Sequence, residues 1–190
     1  NPEIKITVIS RPFFKPFFEG IPNLSFFAFD EKNRHKGFFG LLRLFQDLKA
    51  LHIDAFADLH NVLRSKVVRT LFTLSGKKTS FVDKARAEKA ALTRAEDKVF
   101  KPLTSMFERH VKVFQELGFT VDLSNPMFPE KAVLGKEISL LIGENIPIAI
   151  GKKLIGIAPF AQYNSKVYPL DLMQEVIHQL AENSNFKILL

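Results

Sequence analysis

The sequence has no cysteine and no tryptophan among its 190 residues. Disulfide bonds and thiolate metal sites are therefore excluded, and the absence of cysteine fits a reducing compartment. No apolar run approaches the roughly 20 residues of a membrane-spanning helix, and no signal peptide precedes the first strand-like segment. The chain begins with asparagine instead of methionine, which suggests that the natural N-terminus lies upstream.

Several catalytic motifs are also absent. The sequence contains no P-loop, no Gly-x-Gly-x-x-Gly fingerprint, no His-Glu-x-x-His zinc pair and no Gly-x-Ser-x-Gly elbow. Its five histidines do not follow metal-ligand spacing. No basic stripe with interleaved aromatic residues indicates a nucleic-acid groove. We therefore predict neither a bound metal nor a nucleic-acid partner.

Phenylalanine and positive charge are what the sequence has in excess. Twenty phenylalanines occur against two tyrosines, and many of these rings must lie in a core because a protein surface could not carry them all. The formal net charge is +7. Such an excess favours anionic partners such as phosphates, nucleic acid or an anionic membrane surface, and by itself it selects none of them.

Short β-branched segments alternate with helical ones along the first two thirds of the chain. Strands are predicted at residues 4–9, 24–29, 53–59 and 79–82, and helices at 38–48, 61–74 and 104–117. This alternation is typical of a parallel sheet covered on both faces. We therefore predict an α/β fold with a Rossmann-like, doubly wound parallel sheet.

The domain organisation follows from a change in composition. Residues 1–124 are predicted to form the first domain, and 125–153, which are rich in proline and glycine, an interdomain connection that can contain a strand. Residues 154–190 read as strand, helix and strand. One such unit cannot cover itself, so 154–190 are predicted to be the start of an incomplete second domain.

The segment from Lys84 to Lys101 interrupts the alternation with many charged residues. We favour a solvated, mobile loop. The alternative is a basic flap that closes over a phosphorylated substrate.

One candidate site follows the third strand, in the segment from Asp58 to Lys66. Ligands of open α/β sheets bind outside the carboxyl ends of strands, and a helix starting near Asn61 would direct free N–H groups there. Arg64, in its first turn, could contact a phosphate or carboxylate. Alternatively, Asp58 and Asn61 cap the helix, while His60 and Arg64 have no ligand. The spacing does not decide between these interpretations.

Two weaker candidates lie elsewhere. Asn164, Ser165 and Lys166 follow a strand and precede a helix, and a lysine suits a diphosphate. An ordinary loop with a surface lysine explains the same pattern and is favoured by physics alone. Arg109, on the helix at 104–117, could reach a cleft, although a single arginine on a helix is usually solvated.

Three stretches resemble the lipopolysaccharide heptosyltransferases of glycosyltransferase family nine, and the similarity runs over nearly the whole chain. The most specific stretch is 155–161 followed by Lys166-Val167-Tyr168-Pro169, which is similar to the family's Gly-x-x-Pro-x-Ala and Lys-x-Trp/Tyr-Pro. Residues 53–65 resemble its strand, acidic residue and polar turn before Leu-Arg/Lys-Ser. The helix of Arg109, ending in Leu117-Gly118-Phe119, is a weaker match.

The resemblance implies a two-domain GT-B glycosyltransferase whose active site lies between two Rossmann-like halves. The first half would receive a phosphorylated lipid A–inner core acceptor, and the second would bind ADP-heptose. Transfer would invert the anomeric centre, with a carboxylate as general base, without a cofactor or divalent metal. Basic groups would then stabilise the leaving diphosphate. The protein would act in the cytoplasm, peripherally at the inner face of the bacterial inner membrane.

The same resemblance implies roles for particular residues. Lys166 would be the catalytic residue that stabilises the diphosphate, and it would bind the donor together with Asn164 and Ser165. The acceptor side would include His60, Arg64 and Arg109.

The chain also departs from the family pattern. The Gly-Asp loop that bears the base would lie upstream of residue 1, and a Gly-x-Asp-[Ser/Thr]-Gly-x-x-His segment that grips the nucleotide would lie downstream of Leu190. We therefore assign no base and expect this chain to be inactive alone. The alternatives are transfer of another nucleotide-activated sugar, a non-catalytic phosphoglycolipid-binding module, or a basic protein docked on the inner membrane.

Overall fold

The computed structural model describes residues 3–126, 128, 130, 135–138, 140 and 153–190. The chain divides into two compact units, Asn1–Pro129 and Glu130–Leu190, and each is presented separately. Most of the predicted connection at 125–153 lies outside the described residues.

The first unit alternates strands and helices in the predicted order. The helices predicted at 38–48, 61–74 and 104–117 are present, and their observed ends lie within two residues of the predicted ones. The elements are β1 (Ile6–Ser10), a 3₁₀ helix (Pro12–Phe18), β2 (Leu24–Ala28), α1 (Gly37–Lys49), β3 (Ala55–Asp58), α2 (Leu63–Leu74), β4 (Lys78–Phe81), α3 (Arg86–Thr93) and α4 (Met106–Glu116).

The strands of this unit pair in parallel, as predicted. Strand β1 pairs with β2 from Ile6↔Leu24 to Ser10↔Ala28, and β3 pairs with β4 from Ala55↔Lys78 to Asp58↔Phe81. The sequence predicted one sheet, whereas the described strands of this unit form two separate two-stranded sheets. The two sheets are joined by the helices and apolar side chains that cover them and not by ladder hydrogen bonds.

Strand β2 is contacted by different parts of the chain on its two faces. The ring of Phe18, in the 3₁₀ helix, lies 5.7 Å from that of Phe26 on β2. The next side chain, Phe27, points to the opposite face and packs against the core that includes α1. The connections before and after β2 therefore lie on opposite faces.

The main core lies on the face covered by α1 and α2. Phe56 of β3 stacks on Phe72 of α2 with 5.1 Å between ring centroids, and the edge of Phe45 of α1 meets Phe72 at 4.9 Å. Offset and edge-on pairs of this kind are the favoured aromatic geometries. The other buried members of this cluster are Leu41, Leu44, Leu48 and Val68.

Helix α4 covers the other face. Ser80 of β4 is buried and donates a hydrogen bond to the Glu116 carboxylate of α4. Ser80 pairs with Ala57, whose side chain points away from the face of Phe56. The predicted coverage of the strands on both faces is therefore confirmed for the first unit.

The charged segment at 84–101 contains a helix that the sequence analysis did not predict. Helix α3 occupies Arg86–Thr93, and its Glu88 forms an ion pair of 3.1 Å with Arg109 of α4. The preferred interpretation, a mobile loop, is therefore wrong for these eight residues. Three alanines and one leucine between 86 and 93 favour a helix.

The second unit contains the predicted strand–helix–strand series. Strand β5 (Lys153–Gly156) pairs in parallel with β6 (Phe186–Leu189), and α5 (Leu170–Glu182) connects them after a 3₁₀ turn at Asn164–Lys166. Within the parts of the chain that the structure describes, no helix combines the length and apolar character that a membrane crossing requires.

Gly40 allows the loop before α1 to lie directly on that helix. A Cβ atom at this position would lie 2.3 Å from the carbonyl carbon of His35 and 2.7 Å from its oxygen. We expect Gly40→Ala to lower the free energy of unfolding by about 1–3 kcal/mol, the usual cost of overpacking, as measured by urea denaturation. Phe39→Ala is the control, because the Phe39 side chain is 76% exposed on the same helix. Equal stability of the two variants would contradict the prediction.

Candidate functional site

Charged side chains join the carboxyl ends of β1, β2 and β3. Glu31 follows β2, and its carboxylate accepts a hydrogen bond of 2.7 Å from Arg64, in the first turn of α2 after β3. Arg11, directly after β1, lies 3.7 Å from the same carboxylate. The hydrogen bond from Arg64, and the nearby charge of Arg11, lower the pKa of Glu31. The three strands therefore end at one edge.

A cavity of about 560 Å³ opens at this edge. Three of the residues that line it are cations. We call it the cationic cleft, and its lining residues are Glu31, Lys32, His35, Lys36, Gly37, Leu41 and Arg64. Ligands of open α/β sheets bind at the carboxyl ends of strands. The cleft therefore lies where this fold type binds ligands.

The loop that carries Lys32 is folded around Asp30. One carboxylate oxygen of Asp30 accepts hydrogen bonds from the backbone N–H groups of Lys32 and Asn33, and the other accepts one from that of Arg34. The bonds from Arg34 and Asn33 are the main cause of the lowered pKa of Asp30. The Asp30 side chain thus fixes the backbone of the loop that bears Lys32, one of the two lysines of the cleft.

Buried His35 attaches the same loop to α1. Its Nδ1 accepts a hydrogen bond of 3.0 Å from the backbone N–H of Asp30, so the proton of the neutral ring is on Nε2. The Nε2–H then donates to the Asp47 carboxylate of α1 at 3.1 Å. The ring also stacks on Phe29, with centroids 5.6 Å apart.

Asp47 is the residue of α1 that binds this loop. Arg34 donates two hydrogen bonds of 2.7 Å to its two carboxylate oxygens, and together with His35 they lower the pKa of Asp47. Sequence reasoning did not identify this loop. The available signal was Asp30 followed by charged and polar residues up to Gly37, since an aspartate commonly bonds to the backbone two or more residues later in a turn.

The polar groups of the segment after β3 mainly hold that segment in place. Asp58 is 3% exposed, and it accepts hydrogen bonds from the backbone N–H groups of His60 and Asn61 and from the guanidinium of Arg69. Asn61 adopts a left-handed conformation with φ of 45°, and α2 begins two residues later, at Leu63, close to the predicted start. These hydrogen bonds give Asp58 a structural role. The sequence analysis did not assign it the role of a base.

Of the three residues expected on the acceptor side, Arg64 lines the cationic cleft. His60 is exposed in the turn between β3 and α2. Arg109 is 8% exposed, and its guanidinium donates to the backbone oxygens of Thr104 and Asp83 and to the Glu88 carboxylate. The structure thus brings Arg64 to the cleft, while Arg109 ties together α4, α3 and the end of β4.

The three residues expected on the donor side form one turn of the second unit. Asn164, Ser165 and Lys166 make up the 3₁₀ turn after β5 and are all exposed. The Lys166 ammonium lies 5.6 Å from the centre of the Tyr163 ring, within the range of a cation–π contact. Pro169 precedes α5. The turn therefore presents its polar groups between a strand end and a helix start.

Among the residues that the structure describes, no group of three or more His, Cys, Asp or Glu side chains is placed to hold a metal ion. The cations at the two sites, Lys32, Lys36 and Arg64 in the first unit and Lys166 in the second, can bind anionic groups.

Two comparisons with known proteins gave matches. The model of the family described as glycosyltransferase family 9 (heptosyltransferase) matches residues 41–190. A solved structure, the glycosyl transferase family 9 protein from Veillonella parvula DSM 2008, is similar with a TM-score of 0.67 and 18% identity. The similarity covers 97% of this chain and 53% of that one, so the chain spans about half of its length. No curated protein matches the chain.

Proposed function

The chain belongs to glycosyltransferase family 9, the heptosyltransferase family, and from this premise we propose that it is part of an inverting transferase that moves heptose from ADP-heptose to the inner core of lipopolysaccharide. The family model matches residues 41–190, which include both Arg64 and Lys166, and this match carries the proposal. The resemblance noted from the sequence motifs is thereby confirmed. The similar fold of a family 9 structure supports a two-domain GT-B arrangement as part of the proposal.

The proposed donor site is the turn at Asn164–Lys166. In transfer from a nucleotide diphosphate sugar, the bond between the anomeric carbon and the diphosphate oxygen breaks, and negative charge develops on the departing ADP. A cation close to that oxygen stabilises the transition state more than the ground state. Lys166 is exposed at the carboxyl end of β5 and is the residue assigned to this task, while Asn164 and Ser165 donate hydrogen bonds to the donor.

The proposed acceptor side is the cationic cleft with its neighbouring loops. Arg64 lines the cleft and His60 lies in the preceding turn. The contacts of Arg109 with Thr104, Asp83 and Glu88 favour an indirect contribution from this residue, through the position of α4. The acceptor is a phosphorylated glycolipid of the lipid A–core type, reached at the cytoplasmic face of the inner membrane.

The reaction requires a base in addition to these cations. The acceptor hydroxyl attacks the anomeric carbon from the side opposite to the diphosphate, which inverts that centre, and its proton passes to a carboxylate. Asp58 is not proposed for this role because its oxygens are occupied by His60, Asn61 and Arg69. The mechanism uses no divalent metal, so the diphosphate is stabilised by protein cations.

The test is a donor screen with the full-length protein and a lipid A–inner core acceptor. We expect turnover with ADP-heptose to exceed that with other ADP- and UDP-sugars by about tenfold or more in kcat/KM, a difference of about 1.4 kcal/mol. Turnover should persist in EDTA. Preference for another nucleotide sugar would replace the donor in this proposal, and acceptor binding without any turnover would favour a non-catalytic glycolipid-binding module.

A further inference from the structure

The chain exposes several large apolar side chains between α3 and α4. Phe100 is 82% exposed, and Phe107, in the first turn of α4, is 75% exposed. Val99 and Met106, their neighbours in the chain, are exposed as well. Scattered apolar side chains are normal on a protein surface, whereas a group of them marks a contact surface. We call residues 98–107 the exposed segment.

The backbone of the exposed segment is held at two points. The Val99 N–H donates a hydrogen bond of 3.0 Å to the carbonyl oxygen of Ala91 in α3. The Arg109 guanidinium donates one of 2.8 Å to the carbonyl oxygen of Thr104. The rings are therefore exposed on an ordered backbone, and binding does not have to include the entropy cost of ordering it.

The exposed segment carries positive charge and contains no acidic residue. Lys98 and Lys101 lie in it, and neither forms an ion pair with a residue that the structure describes. Over the wider range 84–107 the chain has six lysine or arginine residues and three acidic ones. One of these three, Glu88, is paired with Arg109. The positive charge beside the rings is therefore available to an anionic partner.

The exposed rings of the first 3₁₀ helix have less free charge beside them. Phe13 and Phe17 are also exposed, but Lys15 between them lies 3.9 Å from the Glu19 carboxylate. Rings and free cations that reach one surface are the combination that binds anionic lipid, because the acyl boundary takes the rings and the headgroups take the cations. The exposed segment therefore fits a bilayer better than the 3₁₀ helix does.

The exposed segment lies at the edge of the strands that carries the cationic cleft. The guanidinium that holds the oxygen of Thr104 also donates to the oxygen of Asp83, which follows β4. The side chain of Asn61, which follows β3, donates to the oxygen of Val82. The segment therefore lies beside the carboxyl ends of β3 and β4, and Arg64 of the cleft follows the same end of β3.

We propose that the exposed segment is a membrane-docking surface. Phe100 and Phe107 enter the interface of an anionic lipid bilayer, and Lys98 and Lys101 contact its phosphate groups. Two rings and two lysines give reversible attachment, since each group contributes modestly. The docking does not rest on the proposed function. Only its use does, which is to hold the protein beside an acceptor that is itself anchored in the bilayer.

The first test is co-sedimentation of the 190-residue chain with vesicles. We expect binding to phosphatidylcholine vesicles that contain about one third phosphatidylglycerol, and little binding without the anionic lipid or at high salt. Phe100→Ala should lower the partition coefficient about tenfold, because an apolar ring no longer leaves water. Lys101→Gln should lower it about fivefold, because one cation is lost at the anionic surface.

Matched controls come from the opposite edge of the strands. Leu74, which ends α2, is 79% exposed, and Lys49, which ends α1, lies beside the amino end of β3. Leu74→Ala and Lys49→Gln remove an exposed apolar side chain and a charge there. Both should leave the partition coefficient within about twofold, because neither side chain faces the bilayer in the proposed orientation. The thermal unfolding of each variant is recorded to show that it is folded.

The absence of tryptophan from the chain provides a second readout. Phe100→Trp places one indole in the exposed segment, and Leu74→Trp places one at the opposite edge. With lipids brominated on their acyl chains, the fluorescence of the first indole should be quenched and blue-shifted on binding. That of the second should not change, because only a ring at the acyl boundary meets the bromine atoms.

Three results would overturn the proposal. No binding to the anionic vesicles at low salt would leave the exposed segment to a protein partner. Equal loss of binding in Leu74→Ala and Phe100→Ala, or equal quenching of the two indoles, would show adsorption without a defined docking surface. Vesicle binding requires neither donor nor acceptor sugar. A failed donor screen would therefore leave the docking surface standing, and failed docking would leave the transfer reaction standing.

Discussion

Replacement of Lys166 by alanine is expected to slow sugar transfer by the full-length enzyme about 10²–10³-fold in kcat, the usual effect of removing one group that stabilises developing negative charge. In the proposed reaction, negative charge develops on the ADP leaving group as its bond to the sugar breaks. KM for the donor should change much less than kcat, because the interaction is strongest in the transition state. Steady-state kinetics with ADP-heptose give both constants.

Two further variants make this test specific. Lys153→Ala removes the same charge from the start of β5, the strand that precedes the Lys166 loop, and should leave kcat within about twofold, since screened charges act weakly at a distance. Lys166→Arg keeps the charge but changes its shape, so it should recover part of the lost rate. Near-normal transfer by Lys166→Ala would remove Lys166 from the mechanism. Loss of activity in both alanine variants would indicate a general effect of charge.

The alternation of strands and helices could be predicted because it depends on local patterns. The β-branched run before Arg11 became β1, and the apolar spacing from 38 to 48 became α1. The division into separate two-stranded sheets could not be predicted, because pairing depends on which strands meet in space.

For a similar reason, the sequence pointed to some of the residues in these sites and missed others. The sequence analysis selected Arg64 and Lys166 because they follow strands, and the structure places Arg64 in the first turn of α2 and Lys166 in the 3₁₀ turn between β5 and α5. Their roles stay predictions. The loop of Asp30 and His35 has no motif, and its order comes from contact with Asp47, twelve residues beyond His35. For Arg109, the sequence did not show that its partners lie 21 and 26 residues away, at Glu88 and Asp83.

Phe72→Ala is expected to reduce the free energy of unfolding by about 3–5 kcal/mol, the range for phenylalanine truncations in a packed core. Phe72 is 1% exposed and contacts both Phe45 and Phe56. It thereby joins α1 and α2 to β3. The alanine variant leaves a cavity that these rings cannot fill without moving β3, whose carboxyl end carries the turn before Arg64.

Urea denaturation followed by circular dichroism measures this effect. Phe107→Ala is the control, because the Phe107 side chain is 75% exposed on α4 and its loss should change stability by no more than about 0.5 kcal/mol. Equal stability of Phe72→Ala and Phe107→Ala would show that the core does not hold the strand ends in place.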